Sequence, residues 1–194
     1  MSNLIAAELD ELHGPVTARS SGGLLEIVAG EHTDIFCPPD GNAVTLNAPA
    51  LLAPAPEGDF VLSAQIESDL RARFDAGALI VWQDEQTWAK LALELSAQSK
   101  PTIVSVVTRT RSDDCNSITL ERPSAHLRLA RIDDTFAFHV HHEGSWELVR
   151  HFSLPPGALR PGFLAQSPTG RGCTARFREI VYEPRRLDDI RNGS

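Results

Sequence analysis

With 194 residues, 42% of them hydrophobic, and a net charge of −8 from dispersed acids, the chain has the size and composition of one globular domain. That charge repels a phosphate backbone unless a basic patch is assembled in space, so nucleic acid is not an expected partner. No stretch reaches the roughly 18 apolar residues of a membrane span, so no membrane partner is expected.

The first segment, residues 1–21, includes "MSNLIAAELDELHG". Acids stand there where a signal peptide has a basic start and an apolar run, which leads to the expectation of a cytoplasmic protein. Ser2 as a cap, with Leu4, Ile5 and Leu12 as apolar positions, predicts a short helix. From residue 22 to 183 the period changes to two. "LLEIVA", "AVTLNA", "DFVLSAQIES", "AGALIVW", "WAKLALEL" and "TIVSVVTR" are strand-length, as are "HLRLAR", "TFAFHVH", "WELVRHF", "GFLAQS" and "TARFREIVY". Between them, "PPDGN", "PAPEGD", "IDD", "HHEGSW", "LPPGALRPG" and "SPTGRG" supply the proline, glycine and Asx chemistry of reversals. With no βαβ alternation, the chain predicts an all-β fold: a sandwich, a jelly roll or a barrel. Residues 184–194, "PRRLDDIRNGS", read as a charged tail or a short docking helix.

Candidate site residues come from strand parity. In "WAKLALEL" Ala89, Leu91, Leu93 and Leu95 share the core face, while Trp88, Lys90, Ala92 and Glu94 share the other. In the next strand, parity leaves open whether Val104, Val106 and Thr108 or Ile103, Ser105 and Val107 face the core. Leu127 and Leu129 put Arg128 on a non-core face; Phe136, Phe138 and Val140 do the same for His139 and His141. The six residues Trp88, Lys90, Glu94, Arg128, His139 and His141 are therefore expected to line one polar groove with an aromatic platform, suited to a sugar. A solvated Lys90–Glu94 ion pair is the plainer alternative.

Other chemistry is weakly signalled. "ELDEL" offers Glu8 and Asp10 but lacks the second acid of a retaining glycosidase strand motif. His139 and His141 lack evident third and fourth ligands, so no metal and no cofactor is expected. Cys37, Cys115 and Cys173 form no CxxC pair and read as buried, reduced thiols. No nucleophile motif is present, so no catalytic residue is assigned and the reading leans away from an enzyme.

"RFDAGALIVWQDEQTWAKLALEL", "VSVVTRTRSDD", "HLRLARID", "HHEGSWELVR" and "FLAQSPTG", in that order, resemble the DUF1349 family of regulation-of-enolase-like proteins. "TDIF" at 33–36 is similar to that family's "TDFW". The resemblance implies a concanavalin A-like jelly-roll β-sandwich of two antiparallel sheets over about residues 22–190. It puts Asp34, Asp75, Gly77, Thr108, Ser112, Asp113, Arg131, Arg150, Ser167 and Pro168 on recurrent positions, besides Trp88, Lys90 and Glu94. Ser112-Asp113-Asp114 departs from the family's "SDW". The functional expectation is a carbohydrate-binding module that takes a carbohydrate or sugar-derived small molecule, as a monomer or homodimer. The alternatives are a protein-interaction or regulatory module with a protein partner, and a sugar-active hydrolase or isomerase.

Overall fold

The computed structural model describes residues 9–14 and 16–194. In chain order the strands are β1 (Asp10–Leu12), β2 (Thr17–Ser21), β3 (Leu24–Ala29), β4 (Ile35–Phe36), β5 (Thr45–Leu46) and β6 (Ala50–Leu52). The long strands follow: β7 (Phe60–Ser68), β8 (Ala76–Asp84), β9 (Thr87–Leu95), β10 (Pro101–Arg109) and β11 (Arg111–Thr119). The last five are β12 (Ser124–Ile132), β13 (Thr135–His142), β14 (Ser145–Ser153), β15 (Arg160–Gln166) and β16 (Cys173–Glu183).

They form two seven-stranded sheets, ordered β1-β6-β15-β8-β9-β10-β11 and β14-β13-β12-β7-β16-β3-β2, with β4-β5 as a separate hairpin. Every pairing is antiparallel. We call them the front and back sheets. The alternation predicts an all-β fold and leaves sandwich, jelly roll and barrel open; the sandwich of two antiparallel sheets that the resemblance implies is the observed fold.

The reversals carry the expected chemistry. Asp84 Oδ1 accepts the Gln86 N–H at 2.8 Å in the β8–β9 turn, and Glu143 and Gly144 both take positive φ between β13 and β14, as a tight two-residue turn requires. The principal core lies between the sheets. Leu79, Leu91, Leu93, Ile103, Val107 and Phe163 of the front sheet meet Leu62, Ile66, Leu127, Phe138 and Phe177 of the back sheet. Parity on β9, β12 and β13 is as read from sequence, and the open question on β10 is resolved. Ile103 and Val107 face the core, whereas Val104 and Val106 belong to a second apolar cluster on the outside of the front sheet.

That second cluster exists because the outer face has a cover. Residues 33–48 run over it, burying Ile35, Cys37 and Ala48 against Ala76, Ala78, Ile80, Trp88 and Ala92. The small alanines allow this third layer to approach closely. The cover is tied at its start by reciprocal backbone bonds between Thr33 and Ser167, and four residues on by the Ser112 N–H to the Cys37 carbonyl at 2.7 Å.

Several expectations are corrected. Asp10–Leu12, placed at the end of a short helix, is strand β1 paired with β6, and β2 also lies within the sandwich, so the domain begins before residue 22. Leu9 is not helical either, and the rest of that helix, Glu8 included, lies outside the described residues. The segment 184–194 is neither a free tail nor a helix: it turns over the outside of the back sheet, with the Gly193 N–H bonded to Asp189 O at 2.9 Å. Leu187 is buried there against Val61 and Ala130. Truncating Leu187 to alanine removes this anchor, and a loss of about 2 kcal/mol is expected, at the lower end for buried leucines. The melting midpoint should then fall by roughly 4–8 °C in a thermal scan; an unchanged midpoint would mean that docking adds nothing to stability. Cys115 is exposed on edge strand β11, against the expectation of burial, while Cys37 and Cys173 are buried.

Candidate functional site

The outer face of the front sheet is only partly covered, and where the cover stops a cleft of about 440 Å³ opens. Its floor is Val104 and Val106. Its walls carry Asp34 and Phe36 from the cover, Lys90 and Glu94 from β9, Asp114 and Asn116 from β11, and Gln166 from β15, with Phe74 also lining it. Register explains the convergence: Val106 sits between Lys90 and Asp114 across three strands, and Ala76 sits between Gln166 and Glu94.

Lys90 is 2% exposed. Its Nζ donates to Ile35 O at 2.6 Å, Gln166 Oε1 at 2.7 Å and Asp34 Oδ1 at 3.2 Å. An ammonium has three N–H donors, and all three are used within the protein. Lys90 therefore joins the cover to β9 and β15 and has no hydrogen left for a ligand. This also answers the Lys90–Glu94 pairing: the partner of Lys90 is Asp34, not Glu94.

Glu94 is left without a partner. Among the described residues no donor or cation bonds its carboxylate, and its pKa is pushed up from 4.5 to about 7. Burial is the largest cause. The positive charge of Lys90 opposes it, and the negative charges of Asp34 and Asp114 add to it. A carboxyl in such a state exchanges a proton near neutrality.

Phe74 is 37% exposed and holds φ at 71°, a conformation that costs a bulky residue of order 1–3 kcal/mol. The surrounding bonds impose it. Asp75, fully buried, accepts the N–H groups of Arg71 and Ala72 and the Ser167 hydroxyl at 2.7 Å. The Phe74 N–H bonds Leu95 O at 2.7 Å, and its carbonyl accepts from Gln166 Nε2 at 3.1 Å. The aromatic ring is thus set at the cleft by a fixed loop.

The six residues expected to share one groove divide between the two outer faces. Trp88, Lys90 and Glu94 lie on the front sheet, although Trp88 is fully buried beneath the cover, stacked on Trp82 at 6.4 Å, and offers no surface. Arg128, His139 and His141 lie on the back sheet. Arg128, 2% exposed, donates to Gly193 O at 2.8 Å and lies 4.2 Å from the Trp146 ring; burial, and secondarily the Arg185 charge, pull its pKa down to about 10. His139 is fully buried and its Nε2–H donates to Ile190 O at 2.7 Å. Burial pulls its pKa to about 4, so it is neutral at pH 7. His141 is exposed, edge-on to Trp146 at 5.3 Å. Both Arg128 and His139 hold down the C-terminal turn. Among the described residues no three His, Cys, Asp or Glu side chains converge as a metal site.

The recurrent positions are chiefly locks. Ser112 Oγ meets Thr108 Oγ1 at 2.8 Å and accepts the Cys37 N–H, fixing the cover. Ser167 and Asp75 fix the Phe74 loop. Gly77 sits where the sheets approach, since a Cβ there would meet Ser68 Oγ at 2.6 Å and Ala175 Cβ at 2.7 Å. Arg131 donates to Asp133 O, and Arg150 to the carbonyl of exposed Asp113. Sequence reasoning missed Phe36, Phe74, Asn116 and Gln166 as cleft residues. Parity on β15 opposes Gln166 to Phe163 and Ala165, which was the one available signal.

Comparison with solved structures places the fold. A functionally unknown protein from Saccharomyces cerevisiae superposes with a TM-score of 0.83 at 19% identity, over 92% of this chain and 97% of its own. A carbohydrate binding module, CBM66 from Bacillus subtilis, matches at 0.58 and 14% identity, over 94% and 98%. A xylan beta-1,4-xylosidase from Bacillus halodurans C-125 matches at 0.63 and 11% identity; 91% of this chain corresponds to 39% of that longer one. No curated protein matches the sequence. The family model of DUF1349, described as a protein of unknown function, matches residues 12–185, and the chain therefore belongs to the DUF1349 family.

Proposed function

We propose that the protein binds a carbohydrate or sugar-derived small molecule in the cleft between the cover and strands β9–β11. The observation that carries the reading is Glu94, a carboxyl with no hydrogen-bond or ion-pair partner among the described residues, in a cleft that also presents the constrained ring of Phe74. A volume of about 440 Å³ suits a small ligand. An aromatic face for the apolar side of a sugar ring, with Asn116, Asp114 and Glu94 for its hydroxyls, is the combination such ligands need. The likeness to a carbohydrate binding module supports the reading through fold alone.

The test is a thermal-shift screen against mono- and oligosaccharides. A ligand at 100 times its dissociation constant adds about 2.7 kcal/mol, a rise of roughly 5–11 °C for a domain of this size. Phe74→Gly should weaken the bound sugar at least tenfold while leaving the unliganded midpoint within a few degrees, since glycine accepts φ 71° without strain. No shift with any sugar, or full binding by the glycine variant, overturns the assignment. A second reading, sugar hydrolysis, draws on the Glu94 pKa of about 7 beside the charge of Asp114. Release of product from chromogenic glycosides, abolished by Glu94→Gln, would establish it.

A further inference from the structure

The charges that line the cleft are Asp34, Lys90, Glu94 and Asp114. Lys90 is the single cation among them, and its three donors are consumed by Asp34, Ile35 O and Gln166. Asp34 accepts both the Lys90 ammonium and the Ile35 N–H on Oδ1, so its charge is matched from within. Glu94 and Asp114 remain, with no ion pair to either among the described residues. Two aromatic rings, Phe36 and Phe74, line the same space.

Resting on the sugar reading above, we propose that the ligand is an amine-bearing sugar whose ammonium seats at Glu94 against the Phe74 ring, with the charge of Asp114, level with Lys90 on β11, adding to the field from farther along the cleft. Three separate effects favour a cation there. An ammonium donates charge-assisted hydrogen bonds to carboxylates, which are roughly twice as strong as neutral ones. It is attracted to aromatic faces. It supplies the positive charge that the cleft spends elsewhere, on Asp34. An acidic or phosphorylated sugar meets the reverse: two uncompensated carboxylates, and a lysine with no donor to give. A neutral or N-acetylated sugar gains the stacking but leaves Glu94 desolvated and unmatched.

The cleft charge also predicts proton traffic. An ammonium beside Glu94 favours its ionised form, so binding at pH 6.5 expels a proton from a carboxyl that otherwise holds one up to about pH 7. A neutral sugar expels none.

The experiment is isothermal titration of the whole chain with three matched probes, a hexosamine with a free amine, its N-acetyl derivative and the parent hexose, each in two buffers of different ionisation enthalpy. The expected result is at least tenfold tighter binding of the free amine, with a buffer-dependent enthalpy for that probe alone. Glu94→Gln and, independently, Asp114→Asn should each reduce the preference. Equal binding of the three probes, or tighter binding of the N-acetyl form, overturns the amine assignment and keeps the sugar reading. Binding of none of them, in a protein that also fails the wider saccharide screen, overturns both.

Discussion

Lys90→Ala is expected to lower the melting midpoint by roughly 6–20 °C, a large effect for the loss of one side chain. The alanine leaves Asp34, the Ile35 carbonyl and Gln166 facing a space that a buried ammonium filled. Removing one member of a buried, hydrogen-bonded ion pair typically costs about 3–5 kcal/mol, because the remaining charge is left uncompensated. Lys90→Met tests the origin of the loss. It retains most of the stem packed near Trp88 but not the three bonds, so it should be nearly as damaging if the bonds dominate. Lys100→Ala, in the exposed β9–β10 turn, is the control and should move the midpoint by less than about 2 °C. A midpoint for Lys90→Ala indistinguishable from that control would show that the cover is not held by this side chain. Loss of ligand in that variant would not by itself locate the ligand, since the wall of the cleft goes with it.

Glu94→Gln should have the opposite sign. In the folded protein the carboxyl holds its proton until about pH 7, and in the unfolded chain it releases it near 4.5. Between those values the folded state carries more protons than the unfolded one, so this group's contribution to stability falls as pH rises. At about 1.4 kcal/mol per unit, the loss sums to about 3 kcal/mol above pH 7. Glutamine has no such titration. The variant should match the parent below pH 4.5 and exceed it above pH 7, by roughly 6–12 °C in midpoint. Taking the difference between the two proteins cancels the acids that work the other way, such as Asp69, whose pKa is held down by its hydrogen bond from Arg176. A difference curve flat from pH 4 to 8 would refute the desolvation of Glu94. If the gain in stability comes with lost ligand, Glu94 is a residue kept for binding at the expense of the fold.

Much of the architecture was legible because alternation is strong wherever a strand has one face in the core. β9, β12 and β13 are such strands, and their inward residues were assigned correctly. β11 was invisible for the converse reason: it is an edge strand, largely exposed, and "RSDDCNSIT" has no apolar rhythm to detect. The cleft was half legible. A lysine and a glutamate on the outer face of β9 were correctly set apart, yet parity says only that a side chain points away from the core. A sandwich has two such faces, and nothing local told Arg128, His139 and His141 that theirs was the back one. Phe74 and Gln166 enter through the Asp75 loop and the register of β15, which are tertiary facts. The cover misled in another way, since it converted Trp88 from a platform into core.

The cover also gives the molecule a built-in reporter. Residues 33–48 are joined to the sandwich by the Thr33–Ser167 bridge, the Cys37–Ser112 bonds and Lys90, whereas the sheets are held by long ladders. Segments with few backbone bonds open at lower free energy than the global transition, so the amides of Ile35 and Phe36 should exchange with deuterium well before those of β9. A molecule lodged against Asp34 and Phe36 would slow that exchange while leaving the back sheet untouched. Occupancy of the cleft can then be followed peptide by peptide by mass spectrometry, whatever the chemical nature of the occupant.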